Sequence, residues 1–159
     1  MIRAEPLTAA TFAPFGDVLD TSGDPDRLIN AGLCGRWHDR ARLDFGPDGR
    51  TGISIFRSAP RSLPHSVDLV ERHPLGSQAF IPMGAGSFLV VVAEDDAGTP
   101  TRLRAFLTAP GQGVNILRNT WHGVLTPLAT PGLFAVVDRI GPGGNLEEYS
   151  LDPAVVVMG

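Results

Sequence analysis

The chain has 159 residues, 43% of them hydrophobic, and a formal net charge of −4 at pH 7. This length is typical of one domain and this apolar fraction is enough for a hydrophobic core, so we expect residues 1–159 to form a single domain. The acidic balance lacks the basic stripe that nucleic acid or an anionic membrane surface binds, and neither is expected as a partner.

The first forty residues predict little regular structure. Residues 1–5 carry an acid where a signal peptide would have its apolar core, which predicts a soluble cytoplasmic protein. Thr8 is placed to cap a single helical turn that stops at Pro14, and a strand is expected at residues 17–20. The only cysteine, Cys34, excludes an internal disulfide and a cysteine-rich zinc site.

A β-hairpin is predicted in the next part of the chain. Residues 36–38 and 41–45 have the composition of short strands, and residues 52–57 form another candidate strand. The turn sequence Gly46-Pro47-Asp48-Gly49 separates the last two. We therefore expect residues 41–45 and 52–57 to pair.

The second half of the chain has the pattern of many short strands. The strongest is the unbroken apolar run at residues 87–93, which belongs in the core and is closed by an acidic turn at 94–98. Further predicted elements are strands at 102–107, 113–117, 123–125 and 133–138, and one helical turn at 145–149. No intervening segment is long enough for a crossover helix, so an all-β antiparallel sandwich or barrel is favoured.

Candidate ligands and acid–base groups collect in two segments, residues 71–83 and 118–122. Glu71 and His73 stand two residues apart, so they point to the same face of a strand, and Gln78 lies beyond a Pro-Gly turn. The second segment contributes His122. These side chains are able to converge inside a barrel.

The spacing of these residues resembles the two motifs of the cupins, which hold ligands inside a jelly-roll barrel. Glu71, His73 and Gln78 occupy the positions of the two histidines and the glutamate of the first motif. Gly111 and His122 match the spacing of the second. This resemblance implies a cupin-like jelly-roll barrel with short peripheral helical segments.

Whole segments resemble one cupin-related family, the ureidoglycolate lyases of allantoin degradation. The similar segments are residues 15–18, 29–32, 37–39, 71–83, 113–115, 121–122, 137–139 and Asn145. The resemblance implies a homodimer that splits (S)-ureidoglycolate into glyoxylate and urea, with a divalent metal such as nickel as a candidate cofactor.

The chemistry of this substrate tests the assignment. Ureidoglycolate carries a carboxylate, a hydroxyl and the urea nitrogen on one carbon, so removal of the hydroxyl proton expels urea and leaves an aldehyde. A lyase needs a base or Lewis acid at the hydroxyl, an acid near the leaving nitrogen, and a cation for the carboxylate. We assign His73 and His122 to a metal or directly to proton transfer, and Glu71 or Gln78 to completing that set.

Substrate-binding residues are expected from several segments. Arg57 or Arg72 is assigned to the substrate carboxylate because the arginine fork binds carboxylates in bidentate fashion. Asp138 ends an alternating strand and is able to point inward, as are Asn30 and Asn115 from their own segments.

The pattern leaves two kinds of site open. The imidazoles of His73 and His122, with the Gln78 amide oxygen and one carboxylate, suit nickel, zinc or copper without selecting one. In the metal-free alternative, Glu71 and His122 form an acid–base pair. In the purely structural alternative, the charges around Glu71 only pair with one another in a solvated loop and His122 is a hydrogen-bonded core residue.

Three other functions compete with the lyase. A barrel without enzymatic activity would bind a small carboxylate, since one fold hosts many functions. A ureidoglycolate hydrolase would release ammonia. A metal-dependent cupin oxygenase or isomerase is the third alternative, and the absence of the first motif histidine disfavours it.

Overall fold

The computed structural model describes all 159 residues, and its regular structure is almost entirely β-strand. The one helix, α1 (Ala9–Phe12), is capped as predicted, because the Thr8 hydroxyl accepts a hydrogen bond from the Thr11 backbone N–H at 3.2 Å. In chain order, the strands are β1 (Ile2–Arg3), β2 (Glu5–Pro6), β3 (Gly16–Leu19), β4 (Arg27–Ile29), β5 (Cys34–Arg36), β6 (Arg50–Arg57), β7 (His65–Arg72), β8 (Gln78–Pro82), β9 (Phe88–Asp96), β10 (Thr99–Leu107), β11 (Gly113–Ile116), β12 (Trp121–Gly123), β13 (Thr126–Pro127), β14 (Leu133–Ile140) and β15 (Glu147–Met158). The chain contains no apolar helix of membrane-spanning length.

Two sheets form a barrel of the jelly-roll type. The large sheet has the strand order β1-β15-β7-β12-β9-β10-β2, with β13 also paired to β9, and the small sheet has the order β3-β11-β8-β14-β6. Strands β4 and β5 form a separate hairpin. Parallel pairing is confined to β1 with β15 and β2 with β10. The predicted all-β, cupin-like barrel is therefore confirmed.

The space between the two sheets is filled by a core of twelve buried apolar residues, to which both sheets contribute. Phe88, Val90 and Val92 of β9 point into it, while Leu89, Val91 and Ala93 point into a second core on the other face of the large sheet. Burial on both faces explains the unbroken apolar run at residues 87–93.

The strands expected at 36–38 and 123–125 are displaced toward the N-terminus, to β5 (Cys34–Arg36) and β12 (Trp121–Gly123). Two further predicted elements are wrong because of pairing between distant segments. Residues 41–45 form no strand, and β6 pairs along its whole length with β14 instead of forming a local hairpin. Residues 145–149 do not form a helical turn, because β15 begins at Glu147 and pairs with β7. In both places a long-range backbone partner outweighs the local pattern.

A hydrogen-bonded network holds the loop around Arg42 against the small sheet. Asp17 on β3 accepts hydrogen bonds from the backbone N–H and the Nε of Arg42, each at 2.8 Å, and from the Asn115 side chain at 2.9 Å. Burial alone would raise the pKa of Asp17, but these donors outweigh it and lower the pKa. The native state therefore stabilises the ionised form of Asp17.

We predict that Asp17→Asn lowers the free energy of unfolding by about 1–3 kcal/mol at neutral pH, because it weakens charge-assisted hydrogen bonds. The folded pKa of Asp17 lies below the unfolded value of about 3.9, so the contribution of Asp17 is present above that value and is lost as the pH falls through the folded pKa. Urea unfolding at about pH 7 and about pH 3 should show the difference between the two proteins shrinking in acid.

Asp24→Asn provides the control, since Asp24 is exposed and its side chain makes no hydrogen bond. A difference between wild type and Asp17→Asn that is equally large at both pH values would contradict the role of the ionised Asp17.

Candidate active site

Strand β12 brings distant segments together at one end of the barrel. It lies between β7 and β9, so that His122 pairs with Glu71 on one side and with Val92 on the other. Residues paired across neighbouring strands share a face of the sheet. Since Val92 belongs to the core, Glu71 and His122 also point toward the barrel interior.

His73 follows the last residue of β7 and is fixed by contacts with two other segments. Its backbone oxygen accepts a hydrogen bond from the backbone N–H of Asn119 at 2.9 Å. Its Nδ1 lies 2.7 Å from the backbone oxygen of Asn145, whose side chain accepts a hydrogen bond from the Leu75 N–H. The rings of His73 and His122 thereby lie 5.2 Å apart between centroids.

We define the polar cluster as Glu71, His73, Gln78, His122 and Asp138. The ligand atoms of Glu71, His73 and His122 all lie within 4.8 Å of one another. His73 Nε2 is 3.9 Å from Glu71 Oε1 and 3.1 Å from Gln78 Oε1. Gln78 in turn donates through its Nε2 to Asp138 Oδ2 at 3.2 Å. The structure thus brings together five of the residues singled out by the sequence.

Hydrogen bonds to backbone carbonyls fix the imidazoles. Nδ1 of His122 lies 3.0 Å from the oxygen of Gly123, as Nδ1 of His73 does at 2.7 Å from that of Asn145. Because a carbonyl oxygen only accepts, both Nδ1 atoms carry a proton. Nε2 of His122 is buried and has no hydrogen-bond partner. It therefore offers an unused lone pair to the cluster.

Burial changes the acid–base properties of the cluster. The pKa of His122 is lowered to about 4, chiefly by burial and further by the charge of His73. The pKa of Glu71 is raised, again chiefly by burial, with repulsion from Glu148 adding to it and the charge of His73 opposing it. At neutral pH the ring of His122 is consequently uncharged, and Glu71 is a stronger base than an exposed carboxylate.

The cluster fits a divalent metal. His73 and His122 offer Nε2 atoms and Glu71 offers a carboxylate oxygen, and the three form a group able to hold an ion. Each Nδ1–H donates to a backbone carbonyl, which is the usual outer support of a metal-bound histidine. The unpartnered Nε2 of His122 is the observation that favours a ligand there.

The same geometry also fits a site without metal. The Gln78 amide nitrogen donates to Asp138, so its oxygen faces His73 Nε2. When no metal lies between them, this contact needs a second proton on His73. His73 is then an imidazolium beside the carboxylate of Glu71.

Arg72 is not brought to the cluster. It follows Glu71 on β7, and successive residues of a strand point to opposite faces. Its guanidinium donates to Glu147 at 2.6 Å and to Asp95 at 2.8 Å, and it lies 4.3 Å from the ring centroid of Trp121. This arginine, assigned from the sequence to catalysis and the substrate carboxylate, is instead held on the outside of the barrel.

Three other predicted binding residues also lie elsewhere. Arg57 is exposed at the end of β6 opposite Leu133, whereas Gly52 of the same strand pairs with Asp138. Asn30 is exposed in the turn of the separate β4–β5 hairpin. Asn115 is fully buried, but its side chain points away from the face of Gln78 and binds Asp17. Of the predicted substrate-binding set, the cluster thus contains Gln78 and Asp138.

Asn145 is a residue of the site for which no role was predicted. It contacts His73 through its backbone oxygen and Leu75 through its side chain. A backbone acceptor leaves no signal in residue type, and only its place in a segment similar to a known family marked it.

Comparison with known proteins identifies the family of the chain. The family model described as ureidoglycolate lyase matches residues 1–158. A ureidoglycolate lyase of Rhodobacter capsulatus is 68% identical over 158 residues, which cover 99% of this chain and 98% of the relative. The ureidoglycolate lyase of Mesorhizobium japonicum is 53% identical over 154 residues, covering 96% and 94%, and ureidoglycolate lyase 2 of Rhizobium meliloti is 52% identical over 145 residues, covering 91% and 89%. The chain belongs to the ureidoglycolate lyase family.

Proposed function

We propose that residues 1–159 form a single-domain cytoplasmic lyase that cleaves (S)-ureidoglycolate into glyoxylate and urea in purine degradation through allantoin. Family membership supports the reaction. The observation that carries it in this chain is the convergence of Glu71, His73 and His122 within 4.8 Å at one end of the barrel. A small molecule is the partner that such a site accommodates.

The proposed reaction is a proton transfer that breaks one bond. Glu71 takes the proton of the substrate hydroxyl, the electrons left on oxygen form the aldehyde carbonyl, and the bond from carbon to the urea nitrogen breaks. Without a metal, the His73 imidazolium supplies the proton that the leaving nitrogen needs; with His73 Nε2 bound to a metal, Glu71 would pass the hydroxyl proton on to that nitrogen. No water is consumed, so the apolar core packed behind His122 suits the reaction by excluding it.

The proposed cofactor is a divalent metal, with nickel among the candidates. His73 and His122 would hold it through Nε2, and Glu71 and Gln78 through oxygen atoms. When bound, it supplies Lewis-acid polarisation of a substrate oxygen. In the metal-free alternative, the His73 imidazolium and the Glu71 carboxylate perform the proton transfers alone. The sequence pairs Glu71 with His122 in this role, but burial lowers the pKa of His122 to about 4, so its ring carries no proton to donate from Nε2 at neutral pH.

The proposed assembly is a homodimer formed through the outer face of the small sheet. Ile53 and Ile55 on β6 are 72% and 58% exposed, and Ile81 and Met83 near β8 are 41% and 53% exposed. Ile55 and Ile81 flank Ala135 in one cross-strand row, so the patch is continuous. Monomeric proteins rarely leave large contiguous apolar patches in water, and a two-fold axis lets one such patch cover its copy.

We predict that Glu71→Gln lowers kcat by roughly 10²- to 10⁴-fold, because the amide cannot accept the hydroxyl proton. Glyoxylate is followed with a carbonyl reagent, spontaneous decay is subtracted, and urea and ammonia are measured in parallel. Asp68→Asn is the control, an exposed carboxylate on the same strand. Ammonia in place of urea would support the hydrolase, and binding of glyoxylate without turnover would support a carboxylate-binding barrel.

The proposed metal cofactor leads to a separate prediction. Protein purified without added metal should carry about one divalent ion per chain, and removal of that ion should abolish most of the lyase activity until it is restored. Elemental analysis and activity after chelation measure both quantities. His122→Ala should reduce the metal content while Asp68→Asn leaves it unchanged, because only His122 offers an unused buried nitrogen. Full activity in the metal-free protein would establish the metal-free mechanism instead.

The dimer predicts a change in mass. Wild-type protein should have twice the chain mass of 16.8 kDa by light scattering after size exclusion. Ile53→Asp should shift it toward the single chain, because a carboxylate in the covered patch would be buried without a partner. Leu33→Asp changes an exposed position of the β4–β5 turn. If this variant were monomeric while Ile53→Asp stayed dimeric, the interface would lie on the hairpin instead.

A further inference from the structure

The polar cluster lacks an arginine, although the substrate of the proposed function carries a carboxylate on the reacting carbon. All thirteen basic side chains other than histidine are arginines. Nine of them donate to a carboxylate or to a backbone carbonyl that is not their immediate chain neighbour. Each of these nine guanidinium groups therefore has at least one structural partner. Arg27, Arg36, Arg50 and Arg57 remain.

The register of the small sheet shows which of these four arginines shares a face with the polar cluster. Arg50 begins β6, two residues before Gly52, so both lie on the same face of the strand. Gly52 pairs with Asp138, and Asp138 pairs with Gln78. Arg50 therefore shares its face with the polar cluster. Arg57 lies at the other end of the strand and on the other face, while Arg27 and Arg36 belong to the separate hairpin.

The distance between Arg50 and the cluster suits a small molecule. Two strand spacings and two residues along the strand put the Cα atoms of Arg50 and Gln78 about 12 Å apart, and an extended arginine side chain spans much of that distance. The side chain of Arg50 is exposed, and its one hydrogen bond is to the carbonyl of its neighbour Thr51, at 3.3 Å. It forms no ion pair with Asp138, its diagonal neighbour on the same face. Its guanidinium is thus free to bind an anion.

The two sheet positions between Arg50 and Asp138 on this face, Gly52 and Ile140, are uncharged. A Cβ at Gly52 would overlap the side chain of Ile140, which pairs with Arg50 across the sheet. Glycine backbone and an isoleucine side chain therefore line the space between the guanidinium and the cluster. Arg139, the neighbour of Asp138, lies on the other face of the sheet and donates through its Nε to the backbone oxygen of Phe45. Arg50 is therefore the arginine of β6 and β14 that shares a face with this surface and with the cluster.

We propose that Arg50 binds the substrate carboxylate and so fixes the reacting carbon between the guanidinium and the polar cluster. The proposal rests on the proposed lyase function and adds the group that selects an α-carboxylate. The bidentate fork of arginine holds a planar carboxylate in one orientation.

Steady-state kinetics and product inhibition test this assignment. Arg50→Ala should raise KM for ureidoglycolate by about 10- to 100-fold, as loss of a charge-assisted pair would. Inhibition by glyoxylate should weaken by a similar factor, while inhibition by urea, which has no carboxylate, should stay unchanged. The KM and the glyoxylate inhibition of Arg50→Lys should lie between those of wild type and Arg50→Ala, because lysine keeps the charge but lacks the bidentate fork. If Arg50 had only a structural role, Arg50→Ala would change inhibition by glyoxylate and inhibition by urea to the same extent.

Arg102→Ala is the matched control, since it removes one exposed arginine from the β9–β10 region and changes the net charge equally. Unchanged KM and unchanged glyoxylate inhibition in Arg50→Ala would overturn the proposal, as would a loss confined to Arg57→Ala. Wild-type protein that releases no glyoxylate above the spontaneous rate would refute the lyase function instead. Glyoxylate affinity by calorimetry, in wild type and Arg50→Ala, then decides the role of Arg50 independently of turnover.

Discussion

His122 lies opposite Glu71 because a strand of three residues, β12, is paired on both of its edges. The pairing with β7 and β9 sets which side chains enter the barrel. A shift of one residue would turn His122 outward and bring Trp121 inward, since alternate residues of a strand face opposite sides. The convergence of the polar cluster depends on this register, and so does the burial that makes the His122 ring neutral at physiological pH.

The two faces of the large sheet carry charged groups in different settings. On the outer face, Arg72 joins Glu147, Asp95 and Trp121, and so ties β15, β9 and β12 to β7. Trp121 also donates to Asp95, and that hydrogen bond is the main cause of the lowered pKa of this carboxylate. On the inner face, the carboxyl of Glu71 is largely withdrawn from water and has only histidine nearby as a cationic partner. The paired charges of the outer face link neighbouring strands. The carboxyl of Glu71 on the inner face has no such ion pair and is therefore able to interact with a bound molecule.

Burial shifts the pKa values of two residues of the polar cluster in opposite directions. It raises the pKa of Glu71 and lowers that of His122, in both cases by disfavouring the charged form. The same apolar core, which includes Val92 beside His122, stabilises the barrel and withdraws the His122 ring from water. Fold stability and site chemistry thus have one physical origin in this part of the molecule.

The residue pattern alone determined the all-β class, the Thr8 cap and the burial of residues 87–93, because these follow from neighbouring residues and short periods. It also identified Glu71, His73 and His122, since their types and spacing are chemical signals that do not require a partner. It could not place Arg72 or Arg57, because the face and the end of the sheet that a side chain occupies follow from strand register, which the tertiary structure sets. The strand at residues 147–158, the backbone contact of Asn145 with His73 and the free guanidinium of Arg50 were likewise decided by pairing between segments far apart in the chain. Each depends on a hydrogen-bond partner or a cross-strand neighbour that the local sequence does not specify.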